Sequence, residues 1–347
     1  MNLLTIVDSD RFDISAYQAL HMAAQFQALG HRSVLMCPAE SPLCLEAPKH
    51  DLAAKRLTLG RRMGFFGGTR FDIVHFYDSI PESVLMLKRI SAESRIFISR
   101  IRLGGTKEAA RLKKLEPFVA RFLAACPSGQ EDLCAAGIDP ARTFVVPPGI
   151  HLGRWESAML IKPAMFQKRP FKVGTVSMDR SLKEQAFFLK VAKAVLEKIP
   201  DTNFAVVGLN DDRIRKMARD LGISHKVDVL WDRSDMPEVM AMLHLFLKTS
   251  PQAGLSMSLI EAQASGVACV VAGVRGLRDY ITSGRNGIVA ESGDAGSFAG
   301  AVVSLIENPA LCHTISRMAY DQVNFNMSFP VVTNLMQRLY EDALFGG

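Results

Sequence analysis

Short apolar runs alternate with amphipathic stretches along the whole chain, and this alternation restricts the fold more than any other feature. The first half contains the runs LLTIV, SVLMC, DIVHF, RIFIS, FLAAC and TFVV, and the second half FKVGTV, NFAVVG, KVDVL, LFLKTS, ACVVA and GIVA. Stretches with helical spacing, such as SAYQALHMAAQFQALG, separate them. Strands that alternate with helices are typical of parallel sheets covered by helices. We therefore predict an α/β protein built from doubly wound parallel sheets.

The length of 347 residues suits two domains of roughly 100–200 residues each. Between the halves, PPGIHLGRWESAMLIKPAMFQKRP has four prolines and no clear periodicity, which is typical of a linker. We predict Rossmann-like domains at 1–154 and 171–329, a linker at 155–170 and a terminal helix at 330–347. Since ligands of such sheets bind at the carboxyl ends of the strands, we expect the site in a cleft between the domains.

Several functional classes lack their motifs. The sequence has no G-x-x-x-x-G-K-[ST], no G-x-G-x-x-G after a strand, no H-E-x-x-H and no G-x-S-x-G. The six cysteines form no C-x-x-C pair, and no apolar run approaches the roughly 20 residues of a membrane span. The first residues do not resemble a signal peptide, because they lack a basic region. We expect a cytoplasmic protein without a metal site.

The charge is concentrated in one region. Residues 49–121 hold 16 Lys and Arg against 7 Asp and Glu, which favours an anionic partner. No recognisable nucleic-acid-binding module and no interleaved aromatic residues accompany this excess, so we do not expect nucleic acid. The segment 49–70, which includes Phe65 and Phe66, is either a peripheral contact with an anionic membrane surface or a solvated loop.

The strongest functional motif is TSPQAGLSMSLIEAQASGVACVVAG, residues 249–273. A strand ends there in a turn rich in Ser, Pro and Gly, which leads into a helix that begins near Ser256. The amides at the start of such a helix favour an anion. Glu261 follows about one and a half turns later and can accept hydrogen bonds from two hydroxyls, such as those of a ribose. The alternative is an ordinary α/β unit with a surface glutamate.

This segment resembles the nucleotide-binding signature of the retaining GT-B glycosyltransferases of family 4, which has two glutamates separated by seven residues. The stretch VRGLRDYITSGRNGIVAESGD is similar to the turn and strand that follow in that family. AYQALHMAAQFQALGHRSVLMCP, FDIVHF and CPSGQEDLCAAGIDPARTFVVPPGIHLGRW resemble the family's first helix, Asp-Val-Val-His strand and linker entry. FNMSFPVVTNLMQRLY is similar to the closing helix, which crosses back onto the first domain. The resemblance covers nearly the whole chain and implies the GT-B architecture of two Rossmann-like domains.

The resemblance implies that the C-terminal domain binds a nucleoside-diphosphate sugar. Glu261 is expected to accept the ribose hydroxyls. The diphosphate is expected at the turn and helix start formed by Gly254, Ser256, Met257, Ser258 and Leu259. Trp231, beside the expected nucleobase, either stacks on the base or packs in the core.

Two positions depart from the family's pattern. The family places an arginine and a lysine five residues apart after the first strand of this domain. Lys183 takes the lysine position and Met178 the arginine position, so we expect Arg180 to reach the leaving diphosphate together with Lys183. The first glutamate of the pair is replaced by Ala253. Either other groups hold the donor sugar, or catalysis is impaired.

The N-terminal domain is implied to bind the acceptor. Ser15 and Ala16 are expected to bind the acceptor, and they replace two glycines of the family at the loop that opens the first helix. His75 stands where members place a cleft-facing histidine and is expected to orient hydroxyls in catalysis, the alternative being a core histidine. Arg100 and Arg102 follow a strand and are expected to bind an acceptor phosphate or carboxylate.

We therefore expect a metal-independent glycosyltransferase, with retention, that moves a sugar from a nucleoside-diphosphate donor to a hydroxyl of a glycan or lipid-linked acceptor. The nucleotide sugar is a co-substrate, and no cofactor is expected. The alternatives are a non-catalytic GT-B module with a decayed site, which Ala253 and Met178 favour, and a sugar-nucleotide epimerase on the same fold.

Overall fold

The chain forms two compact units in a computed structural model that describes residues 1–57, 69–79, 84–100, 106–166, 168–178, 180–231, 233, 235–251 and 254–346. Unit 1 comprises Met1–Gly149 and Asn326–Gly347, and unit 2 comprises Ile150–Phe325. Unit 1 is therefore discontinuous in sequence, whereas unit 2 is one continuous stretch.

Unit 1 is built on a parallel sheet of seven strands in the order β3-β2-β1-β4-β5-β6-β7. The strands are β1 (Asn2–Ile6), β2 (Arg32–Cys37), β3 (Ala53–Arg56), β4 (Ile73–Tyr77), β5 (Arg95–Arg100), β6 (Arg121–Ala124) and β7 (Thr143–Val145). Six of them coincide with the predicted apolar runs. The remaining strand, β3, was not predicted, because its sequence, AAKR, is short and weakly apolar and lies at the edge of the sheet.

The helices of unit 1 cover both faces of this sheet. They are α1 (Ile14–Ala28), α2 (Pro42–Glu46), α3 (Val84–Ser91), α4 (Thr106–Leu115), α5 (Pro127–Ala135) and α14 (Phe329–Phe345). On one face, Phe26 of α1 and Val332, Met336 and Tyr340 of α14 are buried in the same apolar cluster as Leu35 of β2. The helix after unit 2 therefore completes the core of unit 1.

Unit 2 has a parallel sheet of six strands in the order β10-β9-β8-β11-β12-β13. The strands are β8 (Phe171–Ser177), β9 (Thr202–Gly208), β10 (Val227–Trp231), β11 (Leu245–Lys248), β12 (Ala268–Ala272) and β13 (Ile288–Ala290). The helices are α6 (Glu156–Met165), α7 (Lys183–Leu196), α8 (Asp212–Asp220), α9 (Met236–Met242), α10 (Met257–Ala264), α11 (Leu277–Tyr280), α12 (Ala295–Glu307) and α13 (Pro309–Met327). The predicted doubly wound α/β fold is confirmed in both units.

The segment 155–170, predicted as a linker, is part of unit 2 and contains the helix α6. Trp155, just before α6, and Ala158 and Lys162 within it are all buried, so the inward face of α6 carries a lysine. The Lys162 ammonium donates hydrogen bonds to the carbonyl oxygens of Met240 at 2.6 Å, Ala241 at 3.0 Å and Leu243 at 2.5 Å. These carbonyls lie at the end of the helix α9, so the buried Lys162 side chain joins α6 to the C-terminus of α9. The linker prediction was wrong because a lysine and Pro163 hide the helical pattern.

Among the described helices, none is by itself long and apolar enough to cross a bilayer. The consecutive helices α12 and α13 reach the required length and composition only as a pair, and they are bent by 105° at their junction.

Candidate functional site

The loop between β11 and α10 in unit 2 opens the strongest motif of the sequence. Ser256 is extended, with φ −115° and ψ 125°, and α10 begins at the next residue. Its hydroxyl lies 2.9 Å from the hydroxyl of Ser258. Leu259 and Ile260 are fully buried and anchor the helix against the sheet. The start of α10 is thereby fixed at the carboxyl end of the parallel strands, where such folds bind ligands.

Glu261 lies on α10 and is half-buried. Burial raises the pKa of Glu261, and the positive charge of Arg154 lowers it. Arg154 ends the short 3₁₀ turn Leu152–Arg154 and had no predicted role, because it falls in the supposed linker entry. A half-buried carboxylate beside an exposed arginine, one helical turn from a set of backbone amides, can accept hydrogen bonds from a polar ligand.

Two glycines bring the loop before α10 against the loop after β12. Gly254 has φ +123° and Gly276 φ +84°, both in the region that favours glycine. The Gly254 amide donates to the Arg275 carbonyl at 3.1 Å. A Cβ on Gly276 would lie 2.7 Å from the Gly254 Cα, closer than real Cβ contacts. The two backbones can therefore approach this closely only because Gly276 lacks a side chain.

Replacing Gly276 by alanine is expected to lower the free energy of unfolding by about 1–3 kcal/mol more than the same change at Gly284. Gly284 is a matched control, because its φ of +81° is similar but a Cβ there meets nothing within 4 Å. Both variants place an alanine at a positive φ, which favours glycine, but only Gly276→Ala also pushes the two loops apart. Urea unfolding followed by tryptophan fluorescence measures the difference, and equal effects of the two changes would contradict the close contact.

The loop after β8 carries the predicted cations. Lys183 is the first residue of α7 and is exposed, and Arg180, three residues after the end of β8, is also exposed. Met178 is 66% exposed, so its side chain is not part of the core. The predicted departure at Ala253 lies outside the described residues.

Trp231 lies at the carboxyl end of β10 and is 44% exposed. The Arg215 guanidinium lies over its ring, 4.6 Å from the centroid. The alternative of a core tryptophan is therefore wrong. The remaining ring surface is available to a planar ligand, as base stacking would require.

In unit 1, His75 is not at a surface. It is 1% exposed, with Nδ1 2.6 Å from the Tyr340 hydroxyl and Nε2 2.7 Å from Ser99 Oγ. Burial lowers the pKa of His75 to about 3, so the ring is neutral at physiological pH. The expectation of a cleft-facing catalytic histidine is corrected to that of a core histidine, because both ring nitrogens are occupied by partners within the unit.

Ser15 and Ala16, predicted to face the acceptor, are also buried. Their amides both donate to the Asp13 carboxylate at 3.0 Å, which caps α1. The Ser15 hydroxyl donates to Asp78 at 3.1 Å. The Asp13 carboxylate therefore already accepts hydrogen bonds from the amides of the two residues that we predicted to bind the acceptor.

Arg100, at the end of β5, is neutralised by two carboxylates. Its guanidinium is 2.9 Å from Asp78 Oδ1 and also pairs with Glu108. The side chain is 10% exposed and lines a cavity of about 40 Å³ together with Tyr77 and Ser99. This environment corrects the prediction that Arg100 binds an acceptor anion, since its charge is already balanced. Arg102 lies outside the described residues.

Together, the two doubly wound units and the loop–helix site of unit 2 define the class of GT-B glycosyltransferase folds. Residues 160–322, which are most of unit 2, match the family model described as Glycosyl transferases group 1. The crystal structure of Anabaena Alr3699/HepE in complex with UDP has a TM-score of 0.81 at 16% identity, covering 97% of this chain and 99% of that one.

Curated relatives show the same resemblance. The UDP-Gal:alpha-D-GlcNAc-diphosphoundecaprenol alpha-1,3-galactosyltransferase of Escherichia coli is 25% identical over 184 residues, which are 50% of this chain and 48% of that protein. The phosphatidyl-myo-inositol mannosyltransferase of Mycolicibacterium smegmatis is 23% identical over 282 residues, 78% of this chain and 71% of that protein. The chain spans about half the length of the first of these relatives.

Proposed function

We propose that this protein is a retaining glycosyltransferase that uses a UDP-sugar as donor and a hydroxyl group as acceptor. The observation that carries the proposal is the half-buried Glu261 on α10, within a segment that matches the model of a glycosyltransferase family. The relative that acts on UDP-Gal and the fold neighbour in complex with UDP support uridine as the base.

In this proposal the residues of unit 2 share the donor. Glu261 accepts hydrogen bonds from the ribose hydroxyls, and Trp231 stacks on the base. The amides at the start of α10, from Met257 onward, bind the diphosphate. Lys183 and Arg180 stabilise the negative charge that develops on the diphosphate as the bond to the sugar breaks.

The acceptor is proposed to be a glycan or a lipid-linked glycan, as the names of the relatives suggest for those proteins. The neutralised Arg100 supports an acceptor whose reacting end is uncharged. A cytoplasmic location with peripheral attachment to the inner face of a membrane belongs to the same proposal. It is supported by the basic excess of residues 49–121, of which residues 58–68, 80–83 and 101–105 lie outside the described part.

Nucleotide binding tests the donor site directly. We expect UDP to raise the melting temperature of the full chain, and GDP, ADP, CMP and dTDP to have smaller effects. A UDP-sugar that stabilises the protein is then incubated with it and assayed for release of UDP, with and without lipid-linked acceptors. Binding of UDP without any release or transfer would favour the non-catalytic module, which the exposed Met178 at the family's arginine position supports. No stabilisation by any nucleotide would contradict the proposal.

A further inference from the structure

Three polar side chains meet at the carboxyl ends of β8 and β11. Ser177 is the last residue of β8, Lys248 is the last residue of β11, and Glu184 lies in the first turn of α7. The Ser177 hydroxyl donates to Glu184 Oε2 at 2.6 Å, and the Lys248 ammonium lies 3.5 Å from the same oxygen. A single carboxylate oxygen thus joins two strand ends to the start of a helix.

This ion pair is largely withdrawn from water, since the side chains of Glu184 and Lys248 are each 14% exposed. Removing two charges from water costs free energy that their mutual attraction only partly offsets at such a distance. A pair of apolar side chains would therefore serve a purely structural role at least as well. The charges are better explained if the ion pair is needed to hold the loop after β8 against the end of β11.

The loop that Glu184 restrains has a strained backbone. Leu182, immediately before α7, has φ +60° and is 6% exposed, a left-handed conformation that a leucine rarely adopts. Such conformations persist only where surrounding contacts enforce them, and they gather at functional sites. This loop carries Arg180 and Lys183, the cations of the proposed donor site.

We propose that Glu184 and Lys248 are positioning residues for the donor diphosphate. They hold the loop with Arg180 and Lys183 against the end of β11, the strand that leads into the loop before α10. Both phosphate-binding elements are then in place before the donor arrives, which reduces the cost of binding. The inference rests on the proposed function, because it requires that the diphosphate binds between these elements of unit 2.

The experiment compares UDP with uridine, which lacks the phosphates. Lys248→Met removes the ion pair with Glu184 that holds the loop with Arg180 and Lys183. We expect this variant to weaken UDP binding about tenfold, the cost of one charge-assisted contact to the phosphates, and to change uridine binding less than twofold. Lys248→Arg should restore UDP affinity to within about threefold of the wild type, because it keeps the charge. UDP binding is measured by calorimetry and uridine binding by ligand-detected NMR.

Lys172→Met is the matched control. Lys172 lies at the amino-terminal end of β8 and pairs with Asp228 at 3.0 Å, so the variant removes a more exposed ion pair from the opposite end of the same sheet. It should leave both affinities unchanged. Glu184→Gln provides a second variant of the network and should also weaken UDP binding selectively.

The outcomes separate the two proposals. Suppose that the wild type binds UDP, and that Lys248→Met either lowers the affinities for UDP and uridine equally or changes neither. The positioning role is then wrong, and the proposed function stands. A fall in melting temperature without selectivity for UDP would likewise show a structural role only. If the wild type binds neither ligand, the proposed function itself fails, and the positioning role with it.

Discussion

Replacing Glu261 by alanine is expected to weaken UDP binding about 100-fold, because two hydrogen bonds from ribose hydroxyls to a charged acceptor are lost. The same change should not lower the melting temperature. Burial raises the pKa of Glu261, which means that the free protein holds this carboxylate in an unfavourable environment. Removing it therefore relieves a cost of folding while it removes a contact to the ligand. Calorimetric titration and thermal unfolding of the same preparations measure the two effects.

A change in the ligand makes this assignment specific. UDP without its 2′- and 3′-hydroxyls should bind the wild type and the Glu261→Ala variant with similar affinity, because the partners of Glu261 are absent. Glu307→Ala is the control, since Glu307 is an exposed glutamate at the end of α12 in the same unit. If the variant loses affinity equally for both forms of UDP, Glu261 does not contact the ribose.

Replacing Lys162 by methionine is expected to lower the free energy of unfolding of unit 2 by about 3 kcal/mol. Methionine fills a similar volume but leaves three buried carbonyl oxygens at the end of α9 without their donor. Both tryptophans of the chain, Trp155 and Trp231, lie in unit 2, so their fluorescence reports the unfolding of this unit. Lys193→Met, on the exposed face of α7, should change the free energy of unfolding little.

The pH dependence gives a second measure of Lys162. Burial lowers the pKa of Lys162 to about 7, from its ordinary value of 10.5 in the unfolded chain. Between these values the unfolded chain binds more protons than the folded chain, so this residue makes stability rise as the pH increases from about 7 to 10. The stability difference between the wild type and Lys162→Met should therefore widen over this range. A constant difference would contradict the lowered pKa.

Twelve of the thirteen described strands were predictable, because a buried parallel strand needs a continuous apolar run and twelve such runs are visible in the sequence. The helix α6 was not predictable. Its buried face carries Lys162, whose three acceptors are contributed by residues about 80 positions later, and no local pattern shows them. Helical periodicity requires an apolar residue at this buried position, and Lys162 can take its place only because carbonyl oxygens from distant residues accept its hydrogen bonds.

The same reason explains why the site residues predicted in unit 2 and those predicted in unit 1 had different outcomes. Glu261 and Ser256 were predicted from local spacing, because a strand, a turn and a helix start are contiguous in the chain, and their roles stay a prediction. His75 and Arg100 were misjudged, because their partners Tyr340, Asp78 and Glu108 are brought to them only by the fold. Sequence spacing reveals a functional group on one element, whereas it does not reveal whether a distant side chain already satisfies that group.

The discontinuity of unit 1 has a consequence for the order in which a ribosome delivers the protein. Unit 2 is synthesised as one uninterrupted stretch and can fold as soon as it emerges. Unit 1 must wait for α14, because Val332, Met336 and Tyr340 fill its core and are translated after all of unit 2. During that interval the apolar cluster around Leu35 and Phe26 lacks the side chains that α14 contributes to it. The first part of the nascent chain, residues 1–149, is therefore expected to need a chaperone for longer than unit 2 does. This order is the reverse of that in proteins whose amino-terminal domain folds first.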